Sequence, residues 1–326
     1  FHVAHVSLAK KADAMLIAPA SANVIGKIAG GIADDMLTTT VMACKSPVLI
    51  APAMNTNMYE NPILQDNLEK LRTYGYTVIE PASGHLACGD TGAGKMPSEE
   101  VLMAYIERAV HRPKDLAGKK VLITAGPTRE AICPVRYITN HSTGKMGYAL
   151  AKMAMLRGAD VTLVTGPVEL EPPMFVTTVP VVSAADMYEA VMSRKKEQDI
   201  IIKSAAVADY TPARVSDEKM KKTDGDMSIP LVRTKDILQE LGQTKEEGQF
   251  ICGFSMETQN MLENSRKKLK KKQIDMIVAN NLKESGAGFG TDTNVVTLIT
   301  DDREKQLPIM SKEDVADAIL DFIKTS

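Results

Sequence analysis

Strand-sized apolar runs and segments with apolar residues at helical spacing alternate along this chain. Runs at 15–19, 48–51 and 78–81 read as buried strands, and 22–29, 61–74 and 98–109 read as helices. The stretch 111–118 is polar and carries Pro113 and Gly118, which breaks the pattern and marks a boundary. The alternation then resumes. Strands are predicted over 120–124, 161–165, 200–202, 250–253, 276–279 and 295–300, and helices over 147–157, 184–196, 236–241, 258–272 and 314–324. Strand–helix alternation of this kind predicts α/β architecture: two Rossmann-like three-layer domains with mainly parallel sheets, over 1–112 and 113–326. The chain opens at Phe1 without a preceding strand, so the first domain is expected to be incomplete at its N-terminus.

Composition narrows the function classes. Lys plus Arg number 39 against 41 Asp plus Glu, which argues against a bulk nucleic-acid binder. Any anionic ligand must be held by local charge. Cys44, Cys88, Cys133 and Cys252 show no paired spacing, so neither a zinc site nor a disulfide framework is predicted. Reduced thiols fit a cytoplasmic protein. No apolar run approaches the length of a membrane span.

Three clusters in the first half follow predicted strands, where open α/β sheets bind ligands. Pro19, Ala20, Ser21, Ala22 and Asn23 open a helix; small residues allow close backbone approach, although taken alone the cluster favours a simple helix cap. Met54 and Asn55 follow the next strand, where Asn55 binds a polar group or merely forms a turn. Segment 86–96 holds Cys88 at the mouth of a glycine-rich loop, a setting more typical of an active-site cover than of a buried thiol.

Together these clusters resemble the flavin-containing cysteine decarboxylases, which include phosphopantothenoylcysteine decarboxylase. The motifs stand here as His5-Val-Ser-Leu, Pro19–Asn23, Pro52-Ala-Met-Asn-Thr-Asn-Met58 and Ala87–Met96, with Lys95 in place of the usual Arg. The resemblance implies an FMN-dependent decarboxylation. In it His5 is the catalytic histidine, Asn55 binds the substrate carboxylate, and Cys88 supplies a proton, as a mostly protonated thiol can near neutrality. Pro19–Asn23 and Met54 would contact the flavin. The family's first strand and its glycine-rich turn would lie upstream of Phe1, so the chain is expected to be N-terminally truncated and to bind FMN weakly.

The second half carries Ala125-Gly-Pro-Thr-Arg-Glu130, which is neither a GxGxxG nor a Walker loop, and then Val135–Gly147 leading into a helix. Ser142, Thr143 and Gly144 form an anion cradle or an ordinary helix cap. Asp209 ends a strand segment, where it holds a metal ion or forms a turn. Lys219 to Lys222 and the lysines of 267–272 are solvated surface or neutralise polyphosphate.

These motifs are similar to those of phosphopantothenate–cysteine ligase, and the domain order is that of the fused bacterial enzyme. Ala131 and Cys133 stand where that family usually has Pro and Asp. The resemblance implies CTP-dependent formation of an acyl-cytidylate on 4′-phosphopantothenate and its capture by cysteine. By position, Asn140 stabilises the acyl intermediate, Lys219 closes over it from a flap, and Arg136 binds phosphopantothenate. Asp209 contacts nucleotide and Mg²⁺. Gly126, Ala206, Lys235, Asp236, Ile237, Leu238, Phe254, Lys268 and Lys272 complete the nucleotide positions. The same resemblance implies a homo-oligomer, with ligase dimers and decarboxylase trimers. A nicotinamide dehydrogenase would need GxGxxG after a strand, which is missing. Retention of His5, Asn55, Cys88, Asn140 and Lys219 argues against a non-catalytic binding protein.

Overall fold

The computed structural model describes residues 3–85, 91–221, 227–257, 261–281, 288 and 290–325. Two compact units, Phe1–Arg112 and Pro113–Ser326, make up the chain.

In the first unit, three parallel strands stand in the order β1 (Met15–Ala20), β2 (Val48–Pro52), β3 (Thr77–Val78). Around them lie α1 (Ala4–Lys11), α2 (Ala22–Gly30), α3 (Met36–Ala43), α4 (Thr56–Tyr59), α5 (Pro62–Thr73) and α6 (Glu99–Val110). β2 is buried at all five positions, as a central parallel strand must be when helices cover both sheet faces. Its alternation sorts Ile50 into a cluster with Ile17, Ile25, Leu64 and Leu68, and Leu49 and Ala51 into another with Ile79 and Leu102. An antiparallel hairpin, β4 (Ala82–His85) and β5 (Thr91–Lys95), occupies part of the segment read as a loop. The strand expected over 78–81 is only Thr77–Val78.

The second unit is larger. Its strands are β6 (Lys120–Ala125), β7 (Arg129–Cys133), β8 (Arg136–Thr139), β9 (Asp160–Thr165), β10 (Thr177–Pro180), β11 (Ile200–Lys203), β12 (Tyr210–Pro212), β13 (Leu231–Arg233), β14 (Phe250–Glu257), β15 (Met276–Asn281), β16 (Thr293–Asn294), β17 (Val296–Ile299), β18 (Glu304–Gln306) and β19 (Met310–Ser311). Eight of them form one sheet in the order β10-β9-β6-β11-β14-β15-β17-β18. The first six run parallel, and β17 and β18 extend the sheet antiparallel. Three small hairpin-like pairs, β7–β8, β12–β13 and β16–β19, stand outside it.

Period-two burial sorts the sheet's side chains into two layers. Val121, Ile123, Ile200, Ile202, Cys252, Met276 and Val278 meet α7 (Lys145–Leu156) and α11 (Lys312–Lys324) on one face. Leu122, Ile201, Ile251, Ile277 and Ala279 meet α8 (Ala184–Met192), α9 (Ile237–Gln243) and α10 (Met261–Lys272) on the other. This is the three-layer arrangement that the alternation predicts.

Among the described residues of this unit, Arg157 is the most deeply buried charged side chain. Arg157, just past α7, is 1% exposed and reaches Asp115 at 2.6 Å, Asp321 at 2.8 Å and Asp317 at 3.1 Å. Lys324 also reaches Asp115, at 3.0 Å. The cluster fastens the loop before β6 to the C-terminal ends of α7 and α11. Three carboxylates around one guanidinium supply the pairing that a buried cation requires.

Candidate functional site

The order of the large sheet fixes where its ligand crevice lies. From β6 the chain moves outward to β9 and β10, then returns to the other side of β6 as β11. The connections diverge between β6 and β11, and ligands of open α/β sheets bind at the carboxyl ends of such a pair. There the segments after the two strands are stitched together. Ala206 donates its N–H to Gly126 O at 3.0 Å, and Thr128 donates to Ala206 O at 3.3 Å. Two buried threonines support the turn from behind. Thr124 Oγ1 accepts from Ala205 N at 3.1 Å, and Thr128 Oγ1 accepts from Ala208 N at 3.0 Å.

Asn140, at the end of β8, donates from Nδ2 to the same Ala206 oxygen at 3.0 Å. The hairpin thus carries its carboxamide to the switch point. Gly144 caps α7 with φ +80°, a left-handed conformation that a side chain would strain, and offers no side-chain cap. The helix begins at Lys145, two residues before the expected start. Gly147 lies against β6, where a Cβ would come within 2.5 Å of the Ala125 methyl, so only glycine lets the helix start sit this close to the sheet.

Two adjoining clefts open here, of about 290 Å³ and 410 Å³. Ser142, Thr143, Gly144 and Ala206 line the smaller; Lys235, Asp236, Ile237, Leu238 and Lys272 line the larger; Asp209, Phe254 and Lys268 line both. Fourteen separated sequence positions were expected to hold nucleotide, and the fold gathers most of them into this one region. Gly126 is buried behind the crevice. Lys219 is exposed and lines neither cleft; Arg136, also exposed, donates to the neighbouring Met220 carbonyl at 2.9 Å.

The electrostatics favour a polyanion. Lys272 pairs with Asp236, which also caps α9 through Gln239 N at 3.0 Å. Burial acts to raise the Asp236 pKa, but the bond from Lys272, the Gln239 N–H and the nearby lysine charges together outweigh it and hold the carboxyl below its ordinary value. Lys268 donates to Phe254 O at 3.1 Å, and Lys235 lies 4.2 Å from the Tyr188 ring centre, a cation–π distance. Among the described residues no group of three His, Cys, Asp or Glu could form a metal cage. Asp209 fits a different role, because Mg²⁺ is commonly held by one or two carboxylates and completed by substrate phosphates.

Sequence reading missed Lys203. It ends the Ile-Ile-Ile strand β11, half-buried, and lines both clefts. Its signal was a lysine closing an otherwise apolar strand. Burial, then the charge of Lys268, push its pKa down to about 8. Below that value both folded and unfolded chains carry the proton, and the folded state bears the full penalty. Between about 8 and the ordinary 10.5 the folded state gives up the proton first, so stability rises with pH. Lys203→Met is therefore expected to stabilise the protein by up to about 3 kcal/mol at pH 7, with the gain fading towards pH 10. Denaturant unfolding at both pH values measures it.

In the first unit the carboxyl ends of β1 and β2 converge. Ala53 donates to Ala20 O at 3.1 Å, which joins the Pro19–Asn23 turn to the Met54–Asn55 loop, and Met54 N donates to Gly94 O at 2.9 Å. Ser21 caps α2 by accepting from Val24 N, and Asn55 caps α4 by accepting from Asn57 N. Cap and ligand readings therefore meet in the same residues. Thr56 Oγ1 is buried without a hydrogen-bond partner beside this loop. Neutral carboxamides, hydroxyls and backbone groups at one sheet edge fit the donor and acceptor needs of a flavin ring. His5 is half-buried on α1, a helix packed on α3. Cys88 lies outside the described residues.

Comparison with known proteins agrees with this division. The Flavoprotein family matches residues 2–111, and the DNA/pantothenate metabolism flavoprotein C-terminal domain family matches residues 116–326. These matches define a two-part flavoprotein of pantothenate metabolism. The coenzyme A biosynthesis bifunctional protein CoaBC of Bacillus subtilis (strain 168) is 53% identical over 325 residues, which cover 98% of this chain and 80% of that protein. A cysteine/cysteine sulfinic acid decarboxylase from an unknown prokaryotic organism is 47% identical over 300 residues, covering 90% and 84%. A solved C-terminal domain of CoaBC superposes with a TM-score of 0.57 at 46% identity, covering 65% of this chain and 97% of that one. The chain belongs to the CoaBC family of bifunctional coenzyme A biosynthesis proteins.

Proposed function

We propose that the second unit joins cysteine to 4′-phosphopantothenate at the expense of CTP, and that the first unit decarboxylates the product to 4′-phosphopantetheine with FMN. The protein is a bifunctional ligase and carboxy-lyase of coenzyme A biosynthesis. The observation that carries the ligase reading is the cation-lined double cleft at the β6–β11 switch point, with the Asn140 carboxamide bonded to the carbonyl of Ala206, which lines it.

A carboxylate is a poor acyl donor, so a nucleotide must provide the leaving group. The 4′-phosphopantothenate carboxylate attacks the α-phosphorus of CTP, and the bond to the β-phosphate breaks, releasing pyrophosphate. The amine of cysteine then attacks the acyl carbon, loses a proton, and displaces CMP. Lys203 and Lys268 offset phosphate charge in a partly enclosed cleft, where such attraction is stronger than in open water. Asp209 would hold Mg²⁺ carried on the phosphates. Asn140 faces the acyl group, Arg136 holds the substrate phosphate, and Lys219 closes from the exposed segment after β12. In the first unit, Pro19–Asn23 and Met54 would border the flavin, which supplies reversible two-electron chemistry when bound. Asn55 orients the carboxylate to be lost, while His5 and Cys88 manage protons. Pairing of ligase units as dimers, trimeric decarboxylase units and a cytoplasmic setting complete the proposal; among the described residues no helix is long and apolar enough to cross a membrane.

The deciding experiment supplies 4′-phosphopantothenate, cysteine and Mg²⁺ with each nucleoside triphosphate in turn and measures pyrophosphate. Cysteine-dependent amide formation with CTP supports the assignment. Absence of pyrophosphate with every nucleotide, alongside release of carbon dioxide from free cysteine, would move the chain to the simpler decarboxylases.

A further inference from the structure

The smaller cleft contains a buried polar atom for which no described residue supplies a hydrogen bond. Asn280 lies on β15, two positions beyond Val278 and four beyond Met276, which belong to the α7–α11 face of the sheet. Period two carries its side chain to that same face at the strand's carboxyl end, where it lines the 290 Å³ cleft together with Gly144 and Lys145 at the start of α7. Asn280 is 6% exposed, and its Oδ1 is buried with no hydrogen-bond partner. Leaving a buried amide oxygen unsatisfied forfeits its hydration with nothing in return, a loss that a ligand explains and packing does not.

The surroundings say what kind of ligand. α7 is a twelve-residue helix whose N-terminus has no side-chain cap, so its first N–H groups and its dipole favour an anion. Lys203, Lys268 and Lys312 line the same space, with Asp209 as the carboxylate among its described lining residues. The two ends of a carboxamide exchange by a half-turn about the last side-chain bond, so Asn280 can present N–H to phosphate oxygen.

We propose that Asn280 is a further binding residue of the ligase site, holding the β- and γ-phosphates of the nucleotide against the start of α7 and so positioning the pyrophosphate leaving group. This rests on the nucleotide-dependent reading of the second unit. It assigns the smaller cleft to the phosphate end and leaves the larger one to the nucleoside.

Titration calorimetry on the full chain with Mg²⁺-pyrophosphate, CMP and CTP tests it. Asn280→Ala is expected to weaken pyrophosphate and CTP about tenfold, the loss of a hydrogen bond to a charged group, and to leave CMP within about twofold. Asn280→Asp is expected to weaken pyrophosphate still more. The alanine variant should melt no lower than the wild type, because the buried amide oxygen removed has no hydrogen-bond partner among the described residues, and that separates a binding role from a structural one. Unchanged pyrophosphate affinity, or CMP weakened as much as pyrophosphate, overturns the assignment. If the wild type binds CMP but turns over with ATP instead of CTP, the base choice fails while the phosphate assignment stands. If it binds neither CTP nor pyrophosphate, the ligase reading itself fails.

Discussion

With Asn140 replaced by alanine, cysteine ligation is expected to slow about a hundred- to a thousand-fold, while the nucleotide KM moves less than about threefold. Asn140 Nδ2 is satisfied in the structure by the Ala206 carbonyl, itself part of the stitching between the segments after β6 and β11. A donor held in place by the fold needs no reorganisation when charge develops on the acyl oxygen, and this is where preorganised donors have their largest effect. The side chain is exposed at the cleft edge, so its removal leaves the core intact. Steady-state kinetics with thermal melting as a control decides the matter. An Asn140→Ala enzyme that ligates at the wild-type rate removes this residue from the mechanism.

The second large effect is on stability. Arg157→Ala is expected to destabilise the second unit by about 3–5 kcal/mol, because three carboxylates lose their shared cation. For a unit of this size that lowers the melting temperature by roughly 10 °C. Arg157→Lys rescues little, since a single ammonium cannot span the directions that the guanidinium fork reaches. Acid has a related effect. The Arg157 guanidinium holds the Asp115 carboxyl well below the usual carboxylate range, so its contribution is fully present above about pH 4 and is lost as the pH falls further. A melting curve at pH 7 that does not shift in Arg157→Ala would show the cluster to be ornamental.

Period and run length made the layers legible. The Ile200–Ile202 run and the fully apolar β2 announce buried parallel strands. The hairpins were not legible. β7 and β8 carry Cys133, Arg136 and Tyr137 with no clean alternation, because they stand outside the main sheet with one side in solvent. α3 was missed although Asp35 and Thr38 form a capping box at its start, since Met-Leu-Thr-Thr-Thr-Val is rich in β-branched residues. At the site, residues after strands could be named from motif and position. Lys203 left only the signal of a lysine closing an apolar strand, and Asn280 left none, because its significance lies in a buried oxygen without a hydrogen-bond partner among the described residues, which exists only once the chain has folded.

The rims of the eight-stranded sheet have a consequence for how copies of this chain meet. At one rim β10 finishes on Pro180, which has no N–H to offer a newcomer; at the other, β18 is Glu-Lys-Gln, exposed throughout. Both borders repel the ribbon-to-ribbon annealing that seeds insoluble fibres. Self-association is thereby channelled away from ladder extension and onto shaped side-chain surfaces, where geometry can limit how many partners join.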